Sequence, residues 1–425
     1  MIEEIDISNF RAFSKPVKIR LRPITILIGK NSAGKSTLMK FLLMLRQTLE
    51  SQDGAFLVTE GQHVKLGALR SLQNRNPGYD VKRLRFEIRM RTLNAPSVAM
   101  LQLLDQLATL ETGLNLANEH AGNGAERLPE STRYDIRAEM MYSQPDVGRH
   151  LVTANQADNE LFVFRSNSLR NVRLLSFPSN TSRPEGELEA MARNTILRPV
   201  RQVLVESRHL SPVREDFQTE RDRSSLPLDD VGHHGEFAYQ HLYEILNREG
   251  DKADFVTESI RGIAKIDDLE FKARAREFQS HFRGRNMDTG ARCHLKDFGF
   301  GVGQCIPIFV QGALLQKGQL LMVEQPEAQL HPTAQLELGS YFADLWRRFG
   351  VPSLVETHSD NLFLRMRKLV TKKVLVPDDV SIAYFSVENR AVTVKNIDIM
   401  EDGHIGEGLP MEFFGADLLE VLEMH

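Results

Sequence analysis

Cysteine is almost absent: Cys293 and Cys305 are the only two in 425 residues. Two thiols cannot build a disulfide framework, so an apolar core must hold the fold, and a reducing cytoplasm is the expected compartment. Long apolar runs are also missing, and none approaches the ~20 residues of a membrane-spanning helix, so no membrane role is expected. The opening Met-Ile-Glu-Glu-Ile-Asp is acidic and carries no secretory pattern. Charge of either sign is not in excess. With 53 Lys and Arg against 57 Asp and Glu the formal net charge is −4, and no global field demands nucleic acid or membrane as partner. No repeat recurs at a solenoid period. What remains is 41% hydrophobic and 26% charged, the balance of a globular protein long enough for two or three domain-sized units.

The most informative stretch lies near the start. Ile24-Thr-Ile-Leu-Ile is a short apolar, β-branched run that ends at Gly29, and Gly34-Lys35-Ser36-Thr37 follows after four residues. Leu38, Met39, Phe41, Leu42 and Leu45 then recur at helical spacing. Strand, glycine-rich loop and helix in that order are the context a phosphate-binding loop needs. Gly29 and Gly34 let the backbone curl, so that the amides of Asn31, Ser32 and Ala33 face a phosphate. The helix adds its positive end. Lys35 supplies a point charge to the outer phosphates, and the Ser36 hydroxyl is a magnesium ligand. The spacing predicts binding of a nucleoside triphosphate.

Around this core, Ile2, Ile5, Ile7 and Phe10, and then Val17-Lys-Ile-Arg-Leu21, alternate as strands of a small antiparallel layer. Residues 56–59 and 63–66 read as short strands, and Arg83–Arg91 as a strand with one wet face. Its arginines are candidate nucleic-acid contacts, as are Arg283 and Arg285, although a solvated strand face is the commoner cause. A helix is expected over 98–118, a loop over 120–131, and strands at 133–142, 160–165 and 172–176. Residues 143–160 and 178–186 read as surface connections. A helix over 186–207 with a kink at Pro199 follows, then a polar stretch to about residue 228. Helices at 235–248 and 252–264 precede a single strand from Leu269 to Phe282. The division expected is 1–70, an inserted region of antiparallel strands and helices over 71–285, and 286–425, the first and last parts forming one nucleotide-binding head.

Three features of the last part fit such a split. Gly299-Phe-Gly301-Val-Gly303-Gln304 opens an apolar helix, a second candidate anion site, though glycine turns before helices are common. Gln319-Leu-Leu-Met-Val ends in Glu324-Gln325-Pro326-Glu327, a buried-type strand finishing in acids that can hold a magnesium shell. Ser353-Leu-Val-Glu356-Thr-His358 is another apolar strand, about 30 residues on, and a helix over Gln335–Phe349 between them makes a βαβ unit.

Taken with Asn9-Phe-Arg-Ala-Phe13, His209-Leu-Ser-Pro-Val-Arg214 and Glu412-Phe-Phe-Gly, these motifs resemble the RecF/SMC/OLD branch of the ABC-type ATPases. The likeness is nearest to prokaryotic AAA-type ATPases with a Glu-Gln-Pro-Glu motif, found in antiphage defence and DNA repair. It implies an α/β P-loop head with an N-terminal antiparallel layer and a large mixed α/β insertion. It further implies ATP and Mg2+ as cofactors, with Lys35, Ser36 and the loop amides through Thr37 on the phosphates and Ser36 and Glu324 on the metal. Gly301, Gly303 and Gln304 stand where the signature loop acts on a partner's ATP, and His358 where the switch histidine falls. The implied assembly is a head-to-head homodimer or higher oligomer. A separate effector such as a nuclease is also implied, because nothing after residue 380 resembles the acidic nuclease set of the OLD proteins. Gln62 and Gln73 are the candidates for the glutamine between lobes.

Two departures matter. Most ABC ATPases have Asp then Glu where this chain has Glu324-Gln325, and a glutamine amide orients water but takes no proton. Glu327 or Glu356 would then be the base, or hydrolysis would be slow. The signature loop has glycine at 301 and 303 and lacks its usual serine. The leading expectation is therefore a nucleotide-gated ATPase, sensor or scaffold, and the alternative is a non-hydrolysing ATP-locked interaction protein. A transporter subunit is disfavoured by the large insertion. A small-molecule kinase would need neither the Gly299–Gln304 segment nor His358.

Overall fold

The computed structural model describes residues 1–51, 57–74, 83–91, 133–141, 144–156, 159–166, 203–214, 230–274 and 277–405. The expected helix at 98–118, loop at 120–131, strand at 172–176 and connection at 178–186 lie outside these residues. So do nearly all of the helix at 186–207, the polar stretch to residue 228 and Glu412–Gly415.

In chain order the strands are β1 (Ile2–Ser8), β2 (Val17–Arg20), β3 (Ile24–Gly29), β4 (Arg83–Arg91), β5 (Arg133–Met141), β6 (Gln144–Gln156), β7 (Asn159–Ser166) and β8 (Arg208–Leu210). They continue with β9 (Ile266–Arg274), β10 (Glu277–Asn286), β11 (Arg292–His294), β12 (Leu321–Glu324), β13 (Ser353–Glu356), β14 (Val380–Glu388) and β15 (Ala391–Ile397). The longer helices are α1 (Lys35–Glu50), α2 (Ala238–Asn247), α3 (Asp251–Ser259), α4 (Phe300–Leu314), α5 (Pro332–Phe349) and α6 (Asp360–Thr371). Two contact units emerge, each drawn from separated parts of the chain. One holds Met1–Leu21, Lys30–Glu206 and Phe385–Val394; the other holds Arg22–Gly29, Ser207–Tyr384 and Lys395–His425.

The first unit contains a six-stranded antiparallel sheet in the order β2-β1-β4-β5-β6-β7. Alternation decides which face is dry. Ile5 and Ile7 on β1 pair with Ile19 and Val17 on β2 and with Ile88 and Phe86 on β4, and all are buried. Phe41 of α1 packs on this face, with ring centroids 5.5 Å from Phe10 and 5.1 Å from Phe86. The opposite face carries charge. Arg89 pairs with Glu4 at 2.7 Å and Arg91 with Glu3 at 2.9 Å, so β4 is the wet-faced strand its alternation suggests.

Three expectations change. Residues 144–156, inside the connection expected over 143–160, form β6. Hydrogen bonds from β5 on one side and β7 on the other outweigh its local composition. Leu269–Phe282 is not one strand: β9 and β10 form an antiparallel pair, followed by β11. The expected strand at 63–66 and the described part of the one at 56–59 reduce to an isolated bridge between Glu60 and Lys65.

The second unit holds β3, β13, β12, β8 and β14 as far as Tyr384, from a sheet ordered β15-β14-β3-β13-β12-β8. Its four strands from β3 to β8 are parallel, and their burial is nearly continuous, as is usual for a parallel sheet. The βαβ unit β12-α5-β13 is present. Its helix starts with Pro332 in the first turn after the His331 cap and stops at Gly350 (φ 65°). Every residue of α4 from Gly303 to Ala313 is buried. Gly312 admits the Tyr341 hydroxyl, which donates to the Ile308 carbonyl at 2.8 Å, while Phe309 and Phe342 pack around the ring.

A Cβ at position 312 would overlap the Tyr341 oxygen. Gly312→Ala should therefore cost about 1–3 kcal/mol by overpacking. Tyr341→Phe should cost about 1 kcal/mol through its lost hydrogen bond. In urea denaturation the double variant is expected to lose clearly less than the sum, and strict additivity would contradict this packing.

Candidate nucleotide site

The buried strand β3 delivers the chain into Gly29 (φ 136°), and the loop closes at Gly34 (φ 100°), which is the N-cap of α1. Gly34 is required twice over. Its φ lies in the left-handed region, and a Cβ would come within 2.9 Å of the Phe13 ring. Ser32 is also left-handed (φ 62°), and the Ala33 amide donates to the Lys30 carbonyl at 3.3 Å. Asn31 and Ser32 are exposed, Ser36 and Thr37 half-buried. Lys35 is only 3% exposed, and its ammonium donates to the Lys30 carbonyl at 3.0 Å, drawn back onto its own loop. The first turn of α1 holds no acidic residue, and a glycine N-cap offers no capping side chain. That end of the helix fits a phosphate group.

The carboxyl ends of the parallel strands fall at one edge of the second unit's sheet. Leu27 on β3 is level with Glu356 on β13, and Glu356 with Glu324 on β12. The edge is tied further by the Gln325 amide on the Glu356 carbonyl at 2.7 Å and the Thr357 amide on the Leu27 carbonyl at 3.1 Å. Gln325 sits at φ 45°, an uncommon conformation for a non-glycine residue and of the kind that gathers at functional turns.

Beyond β12 the chain turns, and Glu327 reaches across to the loop after β13. One of its oxygens accepts the His358 amide at 2.8 Å; the other is buried without a hydrogen-bond partner. Burial pushes this carboxyl above the usual carboxylate range. The amides of His358 and Glu327, the Thr357 hydroxyl and the Arg214 charge oppose that push. His358 itself is exposed, and Glu356 is buried.

Other contributors to this edge come from 207–214. His209 on β8 meets Glu324 at 2.8 Å through Nε2, and its Nδ1 lies 3.1 Å from His233 Nδ1. Arg214 is fully buried. Its guanidinium donates to the Glu324 carbonyl at 2.6 Å and to the Gln304 carbonyl at 3.3 Å. Burial lowers its pKa to about 10, so it remains charged at neutral pH. The sequence marks His209–Arg214 as a motif without giving either end a role, and gives no signal for His233.

Gly301, Gly303 and Gln304 are found inside the first turns of α4 rather than in a loop, with Gly299 (φ 101°) as N-cap. Gly301 allows close approach, since a Cβ there would stand 2.6 Å from the Gln329 carbonyl oxygen. The buried Gln304 amide is committed to the Arg214 backbone, accepting its N–H at 3.0 Å and donating to its carbonyl at 2.9 Å. Gln62 is exposed and Gln73 half-buried, both away from any named strand or helix of length. Two of the candidate DNA contacts carry acids beside them: Arg285 pairs with Asp267 at 2.9 Å and Arg89 with Glu4 at 2.7 Å. Among the described residues no cluster of His, Cys, Asp and Glu forms a closed metal cage, and no helix is long and apolar enough to cross a membrane.

The raised Glu327 pKa has a measurable consequence. The unfolded carboxyl titrates lower, so the native state keeps its proton to higher pH. Its favourable contribution is complete below the unfolded pKa and is lost as pH rises through the folded one. Glu327→Gln retains an acceptor for His358 N–H without the buried charge. Its urea midpoint should exceed wild type at neutral pH, with the gap closing towards about pH 4. A gap that is constant with pH would contradict the assignment.

No sequence match was found among curated proteins. Solved structures with similar coordinates include an Smc head bound to the C-winged helix domain of ScpA (10% identity, TM-score 0.45, 94% of this chain and 98% of that chain). An SMC head domain from Thermotoga maritima aligns at 8% identity and TM-score 0.41 over 93% and 98%. An Smc head with an extended coiled coil, bound to the C-terminal domain of ScpA derived from Pyrococcus furiosus, aligns at 10% and 0.44 over 100% and 98%. Scores at this level leave the assignment to the motifs, the strand order and the family. The family model described as "AAA domain, putative AbiEii toxin, Type IV TA system" matches residues 24–365, most of the chain, from β3 into α6. By that match, and with a phosphate-type loop after β3, the chain belongs to this family of AAA-domain P-loop proteins.

Proposed function

We propose that this protein is an ATPase that binds ATP with Mg2+ and acts as a nucleotide-gated sensor or scaffold, with slow hydrolysis. The observation that carries the reading is the shared sheet edge, where β12 ends in Glu324 level with Leu27 of β3, two residues before β3 runs into its glycine-framed loop. Lys35, Ser36 and the amides from Gly29 to Thr37 would hold the phosphates, and Ser36 with Glu324 would hold the metal. When bound, Mg2+ neutralises phosphate charge as the terminal bond breaks. Gln325 follows Glu324 directly and can orient a water through its amide without accepting a proton. Glu327 has a buried oxygen without a hydrogen-bond partner, and burial raises its pKa, the direction a general base needs. The exposed His358, two residues past β13, is suited to sense the outer phosphate.

The same reading places Gly301 and Gly303 at the face offered to a second head. Gln304 acts there through the α4–Arg214 contact it maintains rather than through its own amide. Two heads closing on two ATP molecules, and a separate effector such as a nuclease answering that closure, fit a role in antiphage defence or DNA repair. DNA as a partner would require the paired arginines to exchange their acids for phosphates. A second reading, an ATP lock that never turns over, draws specific support from Gln325.

ATP turnover by the purified protein separates the two. Wild type is expected to hydrolyse slowly, Lys35→Ala to lose nucleotide binding, and Glu327→Gln to lower turnover by about 10²-fold or more. Binding of ATP by Lys35→Ala with wild-type affinity would contradict the site. No turnover in wild type, with turnover gained in Gln325→Glu, would select the lock.

A further inference from the structure

His209 is placed to do more than join two strands. In the parallel pair β8–β12 it is level with Met322, and Glu324 stands two residues on, so the two side chains share a face. They meet at 2.8 Å with little exposure to water (6% and 12% of their side chains), and so the bond faces little competition from solvent. An ionised carboxylate only accepts, which puts a proton on His209 Nε2. With one proton on each ring, His209 Nδ1 is then an acceptor, and the nitrogen facing it at 3.1 Å, His233 Nδ1, is the donor. The hydrogen bonds thus run in one direction, from His233 to His209 to Glu324.

The strand that carries His209 is held independently of this chain. The Ser211 amide donates to the His233 carbonyl at 2.9 Å, and the Ser211 hydroxyl lies 2.8 Å from His234 Nδ1. An imidazole carrying a single proton can donate to a carboxylate without cancelling the charge that must attract a cation. Lysine or arginine in the same place would cancel its charge, whereas imidazole fixes one oxygen and leaves the other for the metal.

We propose that His209 is a positioning residue that holds the Glu324 carboxylate for a divalent cation, and that His233 fixes the His209 tautomer. The inference rests on the reading of Glu324 as the metal-holding acid of the nucleotide site. Nothing in the motif comparison with ABC-type ATPases assigns a partner to that acid.

Manganese is a suitable probe, with its affinity measured by electron paramagnetic resonance at one fixed pH, with and without ATP. His209→Ala is expected to weaken Mn2+ binding in the presence of ATP by about 10- to 100-fold. ATP binding in EDTA should be unchanged. His209→Gln, whose amide nitrogen can occupy the place of Nε2, should restore most of the loss, and His209→Asn, which mimics Nδ1, should not. His233→Ala should give a smaller loss. Wild-type Mn2+ affinity in His209→Ala, or equal affinities in the Gln and Asn variants, would overturn the proposal. The Gln and Asn comparison also decides the matter if His209→Ala does not fold. If Glu324→Ala binds Mn2+ and ATP as well as wild type, the nucleotide-site reading falls, and this inference with it. A loss in Glu324→Ala but none in His209→Ala removes the inference alone.

Discussion

The backbone register of four parallel strands is the constraint on which the site depends. Hydrogen bonding aligns Leu27, Glu356 and Glu324 across β3, β13 and β12, and His209 beside Met322 on β8. A slip of one residue in any of these pairs would turn Glu324 or His209 to the opposite face, because side chains alternate along a strand. Register here is over-determined by burial. Residues of β3 from Ile24 to Ile28 and all of β13 are buried, so a slipped strand would gain no better place for its apolar groups. The proposed chemistry then falls to residues at or just past the strand ends: Gly29, Gln325, Glu327 and His358.

Buried polar groups connect those strand ends to the helices. Arg214 links the Glu324 carbonyl to the start of α4 through Gln304, and Glu327 links the β12 loop to the His358 amide. Each is costly to desolvate, and the hydrogen bonds it makes offset only part of that cost. A displacement at the β12 end therefore has a direct path into α4 through Arg214 and into the His358 loop through Glu327. In the proposed function, this path would couple nucleotide binding to the presentation of α4.

How much of this the sequence shows depends on the range of the interaction. The strand-loop-helix from Ile24 to Leu45, the βαβ unit over 319–356 and the wet-faced strand Arg83–Arg91 are local patterns, and the period of their apolar residues is enough. Residues 144–156 are not legible, because proline, glycine and polar composition suggest a connection while two neighbouring strands make them a strand. The alternation of Leu269–Phe282 runs through a reversal of direction that no glycine or proline announces. In the site, the glycines and acids are visible as motifs. His209 lies 115 residues from Glu324 and His233 has no motif at all, so only strand pairing reveals the chain between them. Gln304 is visible as a signature-like residue, but its commitment to Arg214 is a tertiary fact.

The central claim, that Glu324 and the loop after β3 serve one metal–nucleotide site, is tested most directly by ATP affinity measured calorimetrically with and without Mg2+. Wild type should bind ATP more tightly when Mg2+ is present. Glu324→Ala should bind ATP in EDTA as wild type does yet lose most of the gain from the metal. A Glu324→Ala protein that keeps the full magnesium-dependent gain would contradict the account.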